Sequence, residues 1–271
     1  MRLKAAGKEA YAFEAELLLE KAAGLNRTAL FLRGEEVLSE EVLTVYEGYL
    51  SEREQGRPTQ YILGEWEFMG LPFHVGEGVL IPRGDTEVLV ETILEKQQSE
   101  PIKSILDIGT GSGCIPVSLG HYGKFEKIMA VDISPKALGY ATKNAAENRV
   151  SIDFYESDLF TNIPSEWKGR LDAIVSNPPY IALKEAEQME PNVLDHEPSS
   201  ALFVPDSDPL KFYIPISLYA LDALDKSGKL YLEINPLYAA MLSETMKSHG
   251  WSDVEIIRDM QGKQRFIVAR K

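Results

Sequence analysis

The sequence predicts an α/β protein: a mostly parallel sheet whose last strand runs antiparallel, preceded by a small helical region and a β-hairpin linker. Three observations carry this. From Lys103 onward short apolar runs alternate with helical stretches, as expected for strands buried on both faces and joined by crossover helices. Those runs end on glycine, aspartate or Asn-Pro, which take a chain out of a sheet at one edge. Up to Gln55, by contrast, apolar residues recur only near helical spacing.

Tyr11 to Gly24 places Phe13, Leu17, Leu18 and Ala22 at helical intervals, and Gly24 stops the helix. Thr28 to Arg33 is a short second segment ending at Gly34. Ser39 caps a third, with Glu40 and Glu41 in its first turn and Val42, Val45, Tyr46, Tyr49 and Leu50 along one face. Residues 1–55 therefore read as a helical domain. Gly56 to Gly64 breaks that pattern, and Glu65 to Val75 alternates apolar and polar residues between glycines, which predicts a hairpin. Residues 56–85 are the linker and residues 86–271 the larger domain, opening on a helix from Thr86 to about Glu95.

In the larger domain Ser104 to Ile108, Ile128 to Asp132, Ile152 to Tyr155 and Leu171 to Ser176 read as four successive strands. A helix to about Tyr122 follows the first. Ser134-Pro135 opens the next helix, with serine as cap and proline in the first position. A helix from about Leu210 to Leu224 precedes the strand Lys229 to Ile234, and the helix Pro236 to His249 leads to Val254–Arg258 and Arg265–Ala269, predicted to pair antiparallel.

A chain of 271 residues with 44% hydrophobic content is long enough for one large domain and a small one. No run approaches the ~18 apolar residues of a membrane span, and the residues from Met1 to Glu9 do not read as a secretory leader. One cysteine, Cys114, excludes an internal disulfide and suits a reducing cytoplasm, and its place at a helix start predicts a core thiol. The net charge of −14 weighs against bare nucleic acid as the main partner, because phosphates are usually met by a basic surface. His74, His121, His196 and His249 are scattered without ligand spacing, so no metal is assigned.

The residues that carry chemistry gather where strands end. Asp107-Ile108-Gly109-Thr110-Gly111-Ser112-Gly113 has glycine at every second position as a strand turns into a helix, so the backbone can take positive φ and approach a ligand closely. A dinucleotide fingerprint needs glycine where Cys114 stands, which disfavours a nicotinamide cofactor. Asp132 ends the next strand about 20 residues on, where a carboxylate can accept ribose hydroxyls.

After the fourth strand, Ser176-Asn177-Pro178-Pro179-Tyr180 must leave the sheet, since neither proline has an N–H for the ladder. Asn177 offers an acceptor and a donor, the prolines offer carbonyls, and Tyr180 offers a flat face. Such a turn suits a planar group bearing an NH2. A carboxamide fits, and so does the exocyclic amine of adenine or cytosine.

The acidic-plus-glycine loop resembles the first motif of Rossmann-like methyltransferases, which bind S-adenosylmethionine. That resemblance implies cofactor contacts at Gly109, Thr110, Gly111, Ser112, Gly113, Asp132 and Asn177, with Asp158 and Leu159 flanking the adenine. The whole chain is similar to the glutamine methyltransferases that modify peptide chain release factors. Pro58 to Gly64, Leu80-Ile81-Pro82-Arg83 with Thr86-Glu87, Asn177-Pro178-Pro179-Tyr180-Ile181, and Glu197-Pro198 with Ala201-Leu202 resemble that family's segments in order. The helical N-terminus with Ala15, Leu17, Leu18 and Leu19 resembles its release-factor-binding domain.

The resemblance implies methyl transfer to the glutamine of a Gly-Gly-Gln loop, with Asn177, Pro178 and Tyr180 catalytic and Pro179 joining them in holding the substrate. Neither direct nucleic-acid binding nor membrane binding is expected. Three places depart from the family: Val204-Pro205 where two glycines are usual, Ser207-Asp208-Pro209 where an Asp-Gly pair is, and Asn235-Pro236 where a glycine, and soon a glutamine, is. Glu197 is expected to be a solvated loop acid, and Arg83 either a linker residue or a support for an acidic site. Two other readings compete, a DNA or RNA amino-methyltransferase acting on a flipped base and a cofactor-binding regulator without catalysis.

Overall fold

The computed structural model describes residues 2–158, 167–259 and 262–271. Its helical region comprises α1 (Arg2–Ala5), α2 (Tyr11–Ala23), α3 (Arg27–Leu32) and α4 (Glu40–Glu54). Gly24 ends α2 in the left-handed conformation, and the side chains of Asn26 and Ser39 cap α3 and α4 by accepting from the N–H groups of Ala29 and Val42. The core here is small: Leu3, Leu18 and Leu50 are buried, with Tyr46 and Tyr49 against them. A nearly buried ion pair between Arg53 and Glu14 ties α4 to α2.

The linker departs from the expected break in helix. Thr59–Leu63 forms α5, begun after Pro58 and stopped by Gly64 at φ 73°. One turn is too short for periodicity to register. The predicted hairpin is present as β1 (Glu65–Phe68) and β2 (Leu71–His74), turning through Met69 and Gly70, both at positive φ. Phe68 and Phe73 are fully buried in one cluster with Leu89, Val90 and Ile93 of α6 (Gly84–Ser99), which roots the hairpin in the larger domain.

The larger domain continues with β3 (Ser104–Ile108), α7 (Cys114–Tyr122), β4 (Lys127–Asp132), α8 (Pro135–Glu147), β5 (Asp153–Glu156) and β6 (Leu171–Ser176). After β7 (Ile181–Ala182), α9 (Pro191–His196), α10 (Ser199–Leu202) and β8 (Phe203–Val204) come α11 (Tyr213–Ala223), β9 (Leu224–Glu233), α12 (Ala239–Ser248), β10 (Ser252–Arg258) and β11 (Gln264–Arg270). The sheet order is β10-β11-β9-β6-β3-β4-β5, and among the described residues only β11 runs antiparallel to its neighbours. The last two strands pair antiparallel as predicted, with β11 inserted between β9 and β10.

Alternation along the strands divides the core in two. Leu106, Ile174 and Leu230 pack with Tyr213, Ile216, Leu242 and Met246, whereas Ile105, Val175 and Tyr231 pack with residues of α6 and α7. Each such side chain stabilises the fold by about 1.5–3 kcal/mol when fully buried. Register then sets the site. Ile108 lies beside Val131 and Ser176, and Ser176 beside Leu232. The next residues, Gly109, Asp132, Asn177 and Glu233, therefore emerge side by side at the carboxyl edge.

Other boundaries moved. The first helix of the larger domain begins at Gly84 and continues to Ser99, and a 3₁₀ turn over Pro236–Tyr238 precedes α12 because the Asn235 side chain accepts the Leu237 N–H. Between β6 and α11 lies an unpredicted layer of β7, a 3₁₀ turn over Leu183–Gln188, α9, α10 and β8, pieces too short to show a period. Among the described residues no helix is long and apolar enough to cross a membrane.

Candidate active site

Gly109, Gly111 and Gly113 all take positive φ. A side chain at Gly113 would meet Ala141 of α8 at 3.0 Å, so this glycine lets α7 close on α8. Gly109 and Gly111 face open space instead, which leaves their backbone accessible.

The loop is held from behind. The N–H groups of Gly109 and Thr110 donate to the Val131 carbonyl at 2.9 and 3.0 Å. Asp132 accepts the Gly111 N–H at 2.8 Å through one oxygen and the Ser134 N–H at 2.9 Å through the other. Asp132 thus stands at the expected strand end and also braces the loop, while each oxygen keeps a lone pair for a ligand. Fully buried Asn144 donates to the Ser112 carbonyl at 2.8 Å and exchanges hydrogen bonds with the His74 backbone, tying the loop to β2. Asp158 lies exposed just after β5, and Leu159 lies outside the described residues.

Two groups remain unsatisfied. The buried carboxylate oxygens of Asp107 and the buried Thr110 hydroxyl have only each other, and their approach falls short of good hydrogen-bond geometry. Burial pushes the Asp107 carboxyl up to about 7; the Thr110 hydroxyl opposes that shift and the charge of Asp132 adds to it. Native proteins rarely leave such groups unpaired. An orphaned carboxyl at the root of an open glycine cradle fits a cofactor rich in hydrogen-bond donors.

At the end of β6 the Ser176 hydroxyl donates to the Ile108 carbonyl at 2.7 Å, and the chain turns away. Pro178 is buried, and Asn177, Pro179 and Tyr180 are half-buried. Asn177 Nδ2 donates to Thr86 Oγ1 at 3.2 Å, Thr86 Oγ1 donates to Glu233 Oε2 at 2.7 Å, and the Tyr180 hydroxyl donates to Glu233 Oε1 at 3.0 Å. One chain of hydrogen bonds therefore joins α6, the turn and the end of β9. Burial raises the Glu233 carboxyl, opposed by the two hydroxyls that donate to it. Burial first, and the nearby Glu233 charge second, raises the Tyr180 phenol well above its ordinary range.

The turn opens on a cleft of about 280 Å³ lined by Leu80, Arg83, Asn177, Pro178, Tyr180 and Glu233, with Met189, Val193 and Leu202 from the inserted layer. An apolar wall with a few convergent polar groups suits one side chain held in a fixed orientation. Glu197 corrects an expectation: it is buried, not solvated. Its carboxylate accepts the Ile81 N–H at 3.1 Å and pairs with Arg83, and those two partners offset its desolvation. Arg83 accordingly supports an acid, one of the two roles the sequence allowed.

Two of the departures from the family are absorbed locally. Val204 pairs with Ala182 between β7 and β8, and buried Asn235 donates to the Tyr180 carbonyl at 3.1 Å. Cys114 is half-buried, packed against the core and not within it, and desolvation pushes its thiol up to about 12, which argues against a nucleophile. Among the described residues no cluster of three or more His, Cys, Asp or Glu is arranged to hold a metal.

Sequence reasoning missed Thr86, Glu233, Asn144 and the unsatisfied state of Asp107. For Glu233 a signal existed: an acid directly after the apolar run Leu230-Tyr231-Leu232, at a strand end like Asp132.

The chain matches the family described as the PrmC N-terminal domain over residues 1–64 and the methyltransferase small domain over residues 84–196. It is 40% identical over 254 residues to the release factor glutamine methyltransferase of Flavobacterium psychrophilum, covering 93% of this chain and 88% of that one. It is 42% identical over 218 residues to the release factor glutamine methyltransferase of Bacteroides thetaiotaomicron, covering 80% and 77%. Among solved structures, the hMettl16 catalytic domain superposes with a TM-score of 0.59 at 20% identity, over 80% of this chain and 81% of that one. The T. thermophilus 16S rRNA methyltransferase RsmC, in complex with AdoMet and guanosine, gives 0.55 at 18% identity, over 76% and 49%. At such identities the structural likeness speaks to the fold alone, that of a Rossmann-like methyltransferase. The sequence likeness reaches further, over nearly the full length and through both regions of the chain, and it shows that this protein belongs to the release factor glutamine methyltransferase family.

Proposed function

We propose that this protein transfers a methyl group from S-adenosylmethionine to the side-chain amide nitrogen of the glutamine in a release factor's Gly-Gly-Gln loop, in the cytoplasm. The observation that carries this reading is the Asn177 side chain, held by Thr86 through its NH2 so that its carbonyl is left for a ligand at the cleft. When bound, S-adenosylmethionine supplies an activated methyl group. Gly109, Thr110, Gly111, Ser112, Gly113, Asp132 and Asp158 would hold it, with Leu159 and Asn177, and the unsatisfied Asp107 carboxyl would gain partners.

An amide nitrogen is a poor nucleophile because its lone pair is shared with its own carbonyl. The residues of the turn answer this by alignment. Asn177 Oδ1 and the Pro178 carbonyl each accept one hydrogen of the substrate NH2, and both dipoles stabilise positive charge as it develops on nitrogen. Pro179 and Tyr180 fix the planar amide between them. The methylated amide then loses a proton readily to water, so no general base precedes the transfer.

The domain assignment belongs to the same proposal. Residues 1–55 present Phe13, Phe31, Leu32, Val37, Leu43 and Val45 exposed, a surface suited to a protein partner. Residues 56–85 link it to the catalytic residues 86–271. Labelled methyl transfer to release factor, to a Gly-Gly-Gln→Gly-Gly-Asn release factor and to duplex DNA, run side by side, tests the reading. Label in the first only is expected. Label in DNA in preference to release factor would replace the substrate class.

A further inference from the structure

We propose that Glu233 and Thr86 are positioning residues that decide which end of the Asn177 side-chain amide faces the cleft. The inference rests on the role given above to Asn177. An amide presents nearly the same shape either way round, but one end accepts hydrogen bonds and the other donates them. Only the carbonyl end can receive a substrate NH2. If the amide were turned over, two donors would meet and the Pro178 carbonyl would be left as sole acceptor.

The orientation follows from proton counting along the chain. An ionised Glu233 only accepts, and both its oxygens are engaged, Oε2 by Thr86 at 2.7 Å and Oε1 by Tyr180 at 3.0 Å. Thr86 has one hydroxyl proton and gives it to Glu233. Its oxygen can then only accept, so Asn177 must offer Nδ2, as it does at 3.2 Å. Thr86 and Glu233 are each 2% exposed, which leaves little room for water to reverse the chain.

A structural ion pair does not account for Glu233. Among the described residues it has no salt-bridge partner, and nearby Arg265 pairs with Asp85 and Asp259 instead. A buried carboxylate satisfied only by neutral hydroxyls is costly to keep. What it supplies that an isosteric amide does not is an end that cannot donate.

Glu233→Gln tests this, since its NH2 can donate to Thr86 and free the Thr86 hydroxyl to turn the Asn177 amide over. Methyl transfer to release factor should fall about 10²-fold in kcat, the scale for small misplacement of a reacting group. Affinity for S-adenosylmethionine should change far less than kcat, because Asn177 is only one of the residues that would hold it. Thr86→Val should lose kcat similarly, and Thr86→Ser, which restores the hydroxyl, should recover most of it. A second readout does not depend on turnover: the Asn177 side-chain amide in ¹⁵N-edited NMR spectra, assigned by its loss in Asn177→Ala. Its proton bonded to Thr86 should exchange slowly in the wild type and fast in Glu233→Gln and Thr86→Val.

Wild-type kcat in Glu233→Gln, equal losses in Thr86→Val and Thr86→Ser, or an Asn177 amide signal indifferent to Glu233→Gln would each overturn the proposal. If the amide signal responds as expected while wild-type enzyme leaves release factor unmethylated, the positioning chain stands and the assigned substrate falls.

Discussion

On the glycine-loop side of the sheet edge, acids answer to the backbone or to little else: Asp132 accepts two N–H groups and keeps a lone pair on each oxygen, while Asp107 and Thr110 have only each other, in poor geometry. On the Asn177 side, side chains answer to side chains, and Glu233, Thr86 and Tyr180 satisfy one another. Both acids at issue are buried, and burial raises both carboxyls. The difference is completeness. One half needs a ligand to finish its hydrogen bonding, as a binding site does. The other is set before any substrate arrives, which is what electrostatic catalysis asks of its dipoles.

The sharpest way to break this contrast is Asn177→Ala. It removes one preset acceptor, so single-turnover methyl transfer should fall by about 10²–10³, with circular dichroism unchanged. Near-normal turnover would reduce the turn to a structural role. Next in size is Asp132→Ala, which removes a ligand acceptor and the brace on Gly111 together. Calorimetry should show cofactor binding weakened by roughly 1.5–3 kcal/mol, the scale of hydrogen bonds to charged groups. Unchanged affinity would move the ribose acceptor to another strand end.

A third change touches neither half. Phe31 and Val37 are 85% and 95% exposed, so replacing both with serine should leave the fold intact. If residues 1–55 collect binding energy from release factor, KM for release factor should rise about tenfold, the usual size for a contributing interface anchor. Affinity for the cofactor should not move. An unchanged KM would remove the recognition role from this surface.

The two halves also differ in how far the sequence disclosed them. Glycine spacing and paired prolines are local chemistry, so Gly109–Gly113 and Asn177–Tyr180 could be placed at strand ends without a structure. The register that sets Asp132 and Asn177 on one edge, and the wiring that joins Asn177 to Thr86 and Glu233, depend on three segments meeting. No single stretch records that. Glu197 was misjudged for the same reason: its partners Ile81 and Arg83 lie far away in the chain, so it looked like any loop acid. The layer from β7 to β8 escaped because its elements are shorter than the periods used to find them.

The smallest effect expected is on stability, and it tests whether Asp107 is truly the unfinished group. Burial raises its carboxyl from 3.8 to about 7. Between those values the folded chain holds a proton that the unfolded chain has released, so stability falls as pH rises through that window. Below the ordinary value both states are protonated and the penalty vanishes. Asp107→Asn cannot titrate, so without ligand it should gain on the wild type as pH rises from about 4 to 7, by roughly 2–4 °C in Tm for each kcal/mol of penalty relieved. S-adenosylmethionine should narrow the gap at pH 7 if it gives Asp107 the donors it lacks. Parallel Tm curves for the two proteins would mean that Asp107 is satisfied after all. Glu233→Gln, whose carboxyl already accepts from two hydroxyls, should shift the same curve less. A larger shift there than at Asp107 would reverse the assignment of which half of the edge is complete.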